Sequence, residues 1–171
     1  MGTAELMYLG YDPGLTASGI VIVARIPNGY RCVHKQTVRK KSGEPLHVSL
    51  ERIGSALGLA IVKHRPAGLT YESQLAVQAG KSKKREMNSN NGKTLMCVGV
   101  AIGTALAMGV PIVDRAPQQV KIAVLGPGNG NAEKKQVQKM AQKILGLTLT
   151  QDEADAAAAA ICGLQAPRTI L

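Results

Sequence analysis

A mixed α/β sheet flanked by helices is the fold class this sequence predicts, and three observations carry the prediction. Short Val- and Ile-rich runs separated by tight turn signals crowd the N-terminal part of the chain. Apolar residues then recur at spacings of three and four, the period of a helix lying on a sheet. Further on, apolar runs of strand length alternate with segments of helix length, the pattern of strands covered by helices. At 171 residues and 45% apolar content, the chain can bury a core and is expected to form a single domain, residues 1–171.

The elements follow in order. Leu6 to Tyr11 is a first strand, stopped by the turn signal Asp12-Pro13-Gly14. Gly19 to Ile26 is a second, ending at Pro27-Asn28-Gly29, where Asn-Gly predicts a hairpin turn into a third strand from Tyr30 to Val38. Three strands joined this way make an antiparallel meander. Leu46, Leu50, Ile53, Leu57 and Ile61 mark a helix, with Pro45 suited to its first turn and Pro66 as its stop. Leu69 to Glu72 reads as a short fourth strand, and the polar, Asn-rich stretch Lys81 to Lys93 as a loop. Leu95 to Val113 runs nineteen residues without a charge, but Gly109 and Pro111 divide it. A core helix, Leu95 to Met108, and a fifth strand, Val110 to Val113, explain it better than a membrane span. Pro117 to Leu125, Ala132 to Leu145 and Asp152 to Leu164 are three further helices. Gly126-Pro127-Gly128-Asn129-Gly130 lacks the Gly-Lys-Ser/Thr ending of a phosphate loop and reads as a flexible connection.

Charge narrows the function. Lys and Arg number 21 against 11 Asp and Glu, a formal net charge of +10. Such a surplus points to a polyanionic partner, because each neutralised phosphate releases a counterion. Two clusters concentrate it: Arg31, Lys35, Arg39, Lys40, Lys41, and Lys81, Lys83, Lys84, Arg85. Without interleaved aromatics they would read phosphate and shape, not bases. Cys32, Cys97 and Cys162 are too scattered for a zinc site or a disulfide frame, and the expected setting is the cytoplasm, with no secretion signal at the N-terminus. His34, His47 and His64 share no metal-ligand spacing and are expected at the surface.

Acids are scarce, so their placement is informative. Asp12 and Glu72 each end a predicted strand, and adjacent strand ends in an α/β sheet meet at the edge where ligands bind. Thr150-Gln151-Asp152-Glu153 has the form of a capping box, and Asp152 and Asp155 share one helix face. That face continues into Ala156 to Ala160, small enough to lie close against a sheet. Each acid also has a structural reading, as turn former, solvated strand end or helix-dipole partner. Gathered at one point, Asp12, Glu72, Asp152 and Asp155 would repel unless divalent cations neutralised them. Oxygen ligands without a His or Cys cluster select magnesium, with manganese as substitute, over zinc. Two such ions suit phosphodiester hydrolysis.

These residues resemble the RuvC-type Holliday junction resolvases of the ribonuclease H-like superfamily. The matching pieces are Gly10-Tyr11-Asp12-Pro13-Gly14 with Ser18-Gly19, then Tyr71-Glu72, then Gln119-Val120-Lys121. Asn131 to Gln138 and Asp152-Glu153-Ala154-Asp155-Ala156 complete the series, collinear over nearly the whole chain. The resemblance implies a five-stranded mixed sheet, strands one to three antiparallel and four and five parallel. It places Asp12, Glu72, Asp152 and Asp155 on the metal-binding catalytic positions, and Lys121 and Lys134 on DNA-facing ones; Lys81, Lys83, Lys84 and Arg85 are added from their charge. It further implies a homodimer that nicks two strands of a four-way junction symmetrically. Gly99, Gly103 and Ala107 form a small-residue stripe open to two readings, a dimer seam or packing on the chain's own sheet. Leu75 stands where bacterial members carry an aromatic, and with the basic 81–85 segment this suggests a phage or mobile-element member, placed then in the host cytoplasm. Nothing in the residues argues for or against a branch-migration helicase partner.

Three other classes compete. Asp12-Pro13-Gly14 with Ser18-Gly19 also resembles the first phosphate motif of actin-like and sugar-kinase ATPases, but that class needs two lobes and this length supplies one. A non-catalytic DNA-binding module would be expected with broken carboxylates, and all four are present. A related nuclease cutting other branched DNA or RNA–DNA hybrid differs in substrate alone.

Overall fold

The computed structural model describes residues 5–73 and 89–165, with only the backbone of 89–91. Leu75, Lys81, Lys83, Lys84 and Arg85 therefore lie outside the described residues.

Five strands form one sheet: β1 (Met7–Asp12), β2 (Ala17–Ile26), β3 (Gly29–Arg39), β4 (Leu69–Glu72) and β5 (Ile112–Arg115). The order is β3-β2-β1-β4-β5. β1, β2 and β3 pair antiparallel, whereas β1 with β4 and β4 with β5 are parallel, as expected for the mixed sheet. Ile26 pairs with Gly29, so the hairpin turns on Pro27-Asn28 and not on Asn-Gly; proline's fixed φ suits the first corner.

Among the described residues, two helices cover one face and three the other. α1 (Leu46–His64) and α2 (Ser89–Ala107) bury Ile53, Leu57, Cys97 and Ala101 against Leu9, Tyr11, Ile20 and Ile22. α3 (Pro117–Leu125), α4 (Lys134–Leu145) and α5 (Gln151–Gln165) bury Val120, Val137 and the alanines of α5 against Val21 and Val23. Among the described residues no helix is long and apolar enough to cross a membrane. All three cysteines are free thiols.

The structure departs from the sequence reading in four further places. α2 starts at Ser89, so 89–93 is helix and not loop; the helix that packs on α1 further along extends back through Asn-Asn-Gly despite their weak helix propensity. β5 is shifted to Ile112–Arg115, because Gly109, with φ +68, and Pro111 belong to the turn that ends α2. The Gly126–Gly130 segment is a built turn: Asn129 Nδ2 donates to the carbonyls of Leu125, Gly126 and Pro127 at 3.0–3.4 Å. His47 is exposed, but His34 and His64 are half-buried, with ring centroids 5.4 Å apart across β3 and α1. The β2–β3 register shifts here, Ile22 pairing with His34 and Val23 with Cys32, so that β3 bulges at Val33, next to His34.

α5 lies unusually close to the sheet, and glycine permits it. A Cβ on Gly10 would overlap the carbonyl of Ala156 and reach 2.6 Å from the amide of Ala160. One on Gly19 would overlap the Asp152 carbonyl. With Ala154 and Ala156 to Ala160 all buried, two small-residue surfaces meet backbone to backbone. This contact carries the N-terminal turn of α5 onto the ends of β1 and β2.

Candidate metal centre

Strand alternation aims the acids. In β1, Leu9 and Tyr11 point to α1 and α2, so Gly10 and Asp12 face α5. In β4, Leu69 and Tyr71 pack on the α1–α2 side, while Thr70 lies under Gly163 of α5 and Glu72 continues that face. Tyr11 is in register with Tyr71 in a parallel pair, which puts Asp12 and Glu72 at neighbouring carboxyl ends. Asp12 opposes Gly19 in β2, and Gly19 seats the backbone of Asp152. Three helical positions on, Asp155 shares the same approach.

The β1–β2 turn below Asp12 is held by Ser18. Its Oγ donates to the Gly14 carbonyl at 2.7 Å, receives the Gly14 amide at 3.3 Å, and lies 3.2 Å from the Tyr11 hydroxyl. The start of α5 is the reciprocal cap the sequence indicated. Thr150 N donates to Glu153 Oε2 at 3.0 Å and Glu153 N to Thr150 Oγ1 at 3.2 Å. Glu153 is buried and also binds Lys35 Nζ at 3.2 Å, so it serves the fold.

The electrostatics of Asp12, Glu72 and Lys134 follow from this placement. Burial, then the charges of Asp155, Asp152 and Glu72, push the Asp12 carboxyl up from 3.8 to about 7, against the pull of Lys134. Burial and Asp155 raise Glu72, opposed by Lys134 and Lys121. Lys134 is held up in turn, chiefly by Asp155, with Asp12 and Glu72 adding to it. Its Nζ donates to Asp155 Oδ2 at 3.3 Å, and Gln151 Nε2 donates to Asp155 Oδ1 at 3.0 Å. Lys134 opens α4, where the helix dipole disfavours a cation; the acids opposite supply the compensation.

The donor set fits a divalent cation. It consists of carboxylate oxygens, partly buried, mutually repelling, and at a sheet edge. Among the described residues no three acidic, His or Cys side chains already stand in ligating geometry. With Lys134 on Asp155, a protein ammonium carries the neutralising charge in this conformation.

The structure thus brings Asp12, Glu72, Asp152, Asp155, Lys121 and Lys134 together. It divides the first basic cluster: Arg31 pairs with Glu5 and Lys35 with Glu153, while Arg39 and Lys40 reach the site's rim. Sequence reasoning missed Gln151, whose position one turn before Asp155 was the available signal. It also missed Arg115, which the β5 shift sets beside Glu72 in register.

Residues 8–163 match the family model described as crossover junction endodeoxyribonuclease RuvC. The protein of that name from Syntrophomonas wolfei is 33% identical over 167 residues, 94% of this chain and 89% of its own length. That from Leifsonia xyli is 33% identical over 162 residues, 90% of this chain and 71% of its own. Among solved structures, Thermus thermophilus RuvC in complex with a Holliday junction superposes with a TM-score of 0.74 at 27% identity, over 92% of this chain and 91% of that one. The yeast mitochondrial Holliday junction resolvase Ydc2 gives 0.59 at 14% identity over 91% and 76%, a likeness of fold alone.

Proposed function

The chain belongs to the family of the crossover junction endodeoxyribonuclease RuvC, and from that membership and the geometry of its acids we propose a metal-dependent nuclease that resolves four-way DNA junctions by paired phosphodiester hydrolysis. The observation that carries the reading is the convergence of Asp12 and Glu72, from adjacent parallel strands, on Asp152 and Asp155 of α5, with Asp12 raised to about 7 by burial first and then by that company.

In this reading Asp12, Glu72, Asp152 and Asp155 hold the metal, and magnesium is the ion because every donor is a carboxylate oxygen; two ions per site suit four carboxylates. When bound, the ions supply Lewis-acid neutralisation of charge at the scissile phosphate. The protein does the rest. The Ser18-braced turn fixes Asp12, and the capped helix start fixes Asp152 and Asp155. Gln151 orients the Asp155 carboxylate through one oxygen, leaving the other to Lys134 or a metal. With the acids neutralised by a cation, Lys134 would be free for a phosphate oxygen, and Lys121, whose charge already reaches Glu72, would face the same strand.

A homodimer would supply the second cut. Gly99, Gly103 and Ala107 are exposed, which removes packing on the chain's own sheet as their explanation. Leu95, Met96 and Leu106 extend that open face of α2. The test is cleavage of synthetic four-way, three-way, flap and linear duplex DNA with magnesium. Symmetric paired nicks confined to the four-way junction are expected; equal cutting of flaps or of RNA–DNA hybrid would favour a related nuclease of different substrate.

A further inference from the structure

A second cleft adjoins the acidic site and shares a wall with it. The β1–β2 turn, Gly14 to Ala17, is joined to the end of β3 by Lys40 N donating to Thr16 O at 3.0 Å. Across from them stands the beginning of α2. Between lies an open cavity of 520 Å³, whose wall includes Arg39, Lys40, Lys93 and Asp152. Its volume is that of a ligand cleft, roughly 300–1,000 Å³.

The charges in this corner are informative. Arg52 does the structural work here: its guanidinium binds Glu44 at 2.7 and 2.9 Å and the Arg39 carbonyl at 2.7 Å. Arg31, Lys35 and Lys134 likewise have carboxylate partners. Among the described residues, Arg39, Lys40 and Lys93 pair with no carboxylate. Three cations from two separate stretches of chain thus face one cavity, and the acid on its wall is Asp152, a member of the neighbouring cluster. Among the described residues no aromatic lines it, so they offer no platform for a base.

Resting on the nuclease reading, we infer that this cleft is a phosphate-backbone subsite: it holds the strand being cut a short way from the scissile phosphate, through Arg39, Lys40 and Lys93. Its ligand class is the phosphodiester backbone of DNA, gripped by charge and without regard to sequence. A strand seated over Asp12 and Asp152 crosses the small Gly14–Ala17 turn and enters the cleft directly. The contacts set register and affinity, while the acids do the chemistry.

The test measures binding of the full-length protein to a synthetic four-way junction in EDTA, across a salt series, for wild type and R39A/K40A/K93A. The expected result is affinity lowered about tenfold or more and a salt slope shallower by about two to three. The charge-conserving R39K/K40R should keep the wild-type slope. A folded triple variant with unchanged slope and affinity would overturn the subsite. The DNA side gives a check independent of variants: neutral methylphosphonates are placed singly along the strand beyond the cut. Loss of wild-type affinity at one to three of those positions is expected, and no loss at any of them overturns the proposal. Displacement of the junction by millimolar inorganic phosphate or a mononucleotide acting through these residues would point instead to a free-anion site. Failure of the nuclease reading looks different, since wild type itself would then cut no branched DNA.

Discussion

Lys134 Nζ rests 3.3 Å from Asp155 Oδ2, a pair that joins the first turn of α4 to the first turns of α5. Lys134 is largely exposed, so the pair contributes little to stability by itself, at most about 1 kcal/mol. Its consequence is for the acids: it offsets their repulsion and yields when a divalent ion replaces it. K134A should therefore melt slightly below wild type in EDTA, with the gap closing in magnesium, while junction cleavage falls. Thermal melts with and without magnesium check this; an equal gap in both conditions would make the lysine purely structural.

Asp12 makes stability depend on pH in a direction opposite to that of most carboxylates. Its value in the folded protein, about 7, stands above the ordinary 3.8, so between these two the folded state holds a proton that the unfolded chain has released. In metal-free protein, stability from this group is present near pH 4 and is lost as pH rises toward 7. D12N cannot ionise and escapes the loss. At pH 8 in EDTA it should be more stable than wild type by about 1–4 kcal/mol, with the advantage gone near pH 4. Melting temperatures across that range decide it, and a D12N variant less stable at pH 8 would refute the crowding of acids.

Gly19 couples the sheet to the site. G19A sets a methyl group against the Asp152 carbonyl in backbone that cannot give way cheaply. We expect destabilisation of about 1–3 kcal/mol or more, and a loss of cleavage larger than stability explains, because Asp152 moves relative to Asp12. Cleavage assayed well below the variant's melting temperature separates the two effects.

The acids and most of the sheet were legible in the residues for different reasons. β4, Leu69–Glu72, and α3, Pro117–Leu125, have the predicted bounds because local signals set them, a short apolar run in one and a proline start in the other. The joint placement of Asp12 and Glu72 followed from strand ends meeting at a sheet edge. Long-range contacts were not legible. Arg31, Lys35, Arg39 and Lys40 look like one cationic run, and only the fold gives the first two to Glu5 and Glu153. Nor does Gly10 or Gly19 reveal in sequence that a helix backbone will press on it.

The open face of α2 predicts the assembly. L106E places a charge on an exposed apolar side chain of that face, where the isolated fold has no need of it. The variant should remain folded, shift from dimer to monomer in light scattering, and nick single strands without pairing the cuts. A dimer as stable as wild type would move the seam elsewhere.

The central claim, that four acids distant in sequence form one cation-dependent cutting site, is tested most directly with D155N on a labelled four-way junction. Binding is measured in EDTA and cleavage in magnesium. The expected result is junction affinity close to wild type with cleavage reduced on the order of a thousandfold or more. D155N cutting at a near wild-type rate would contradict it.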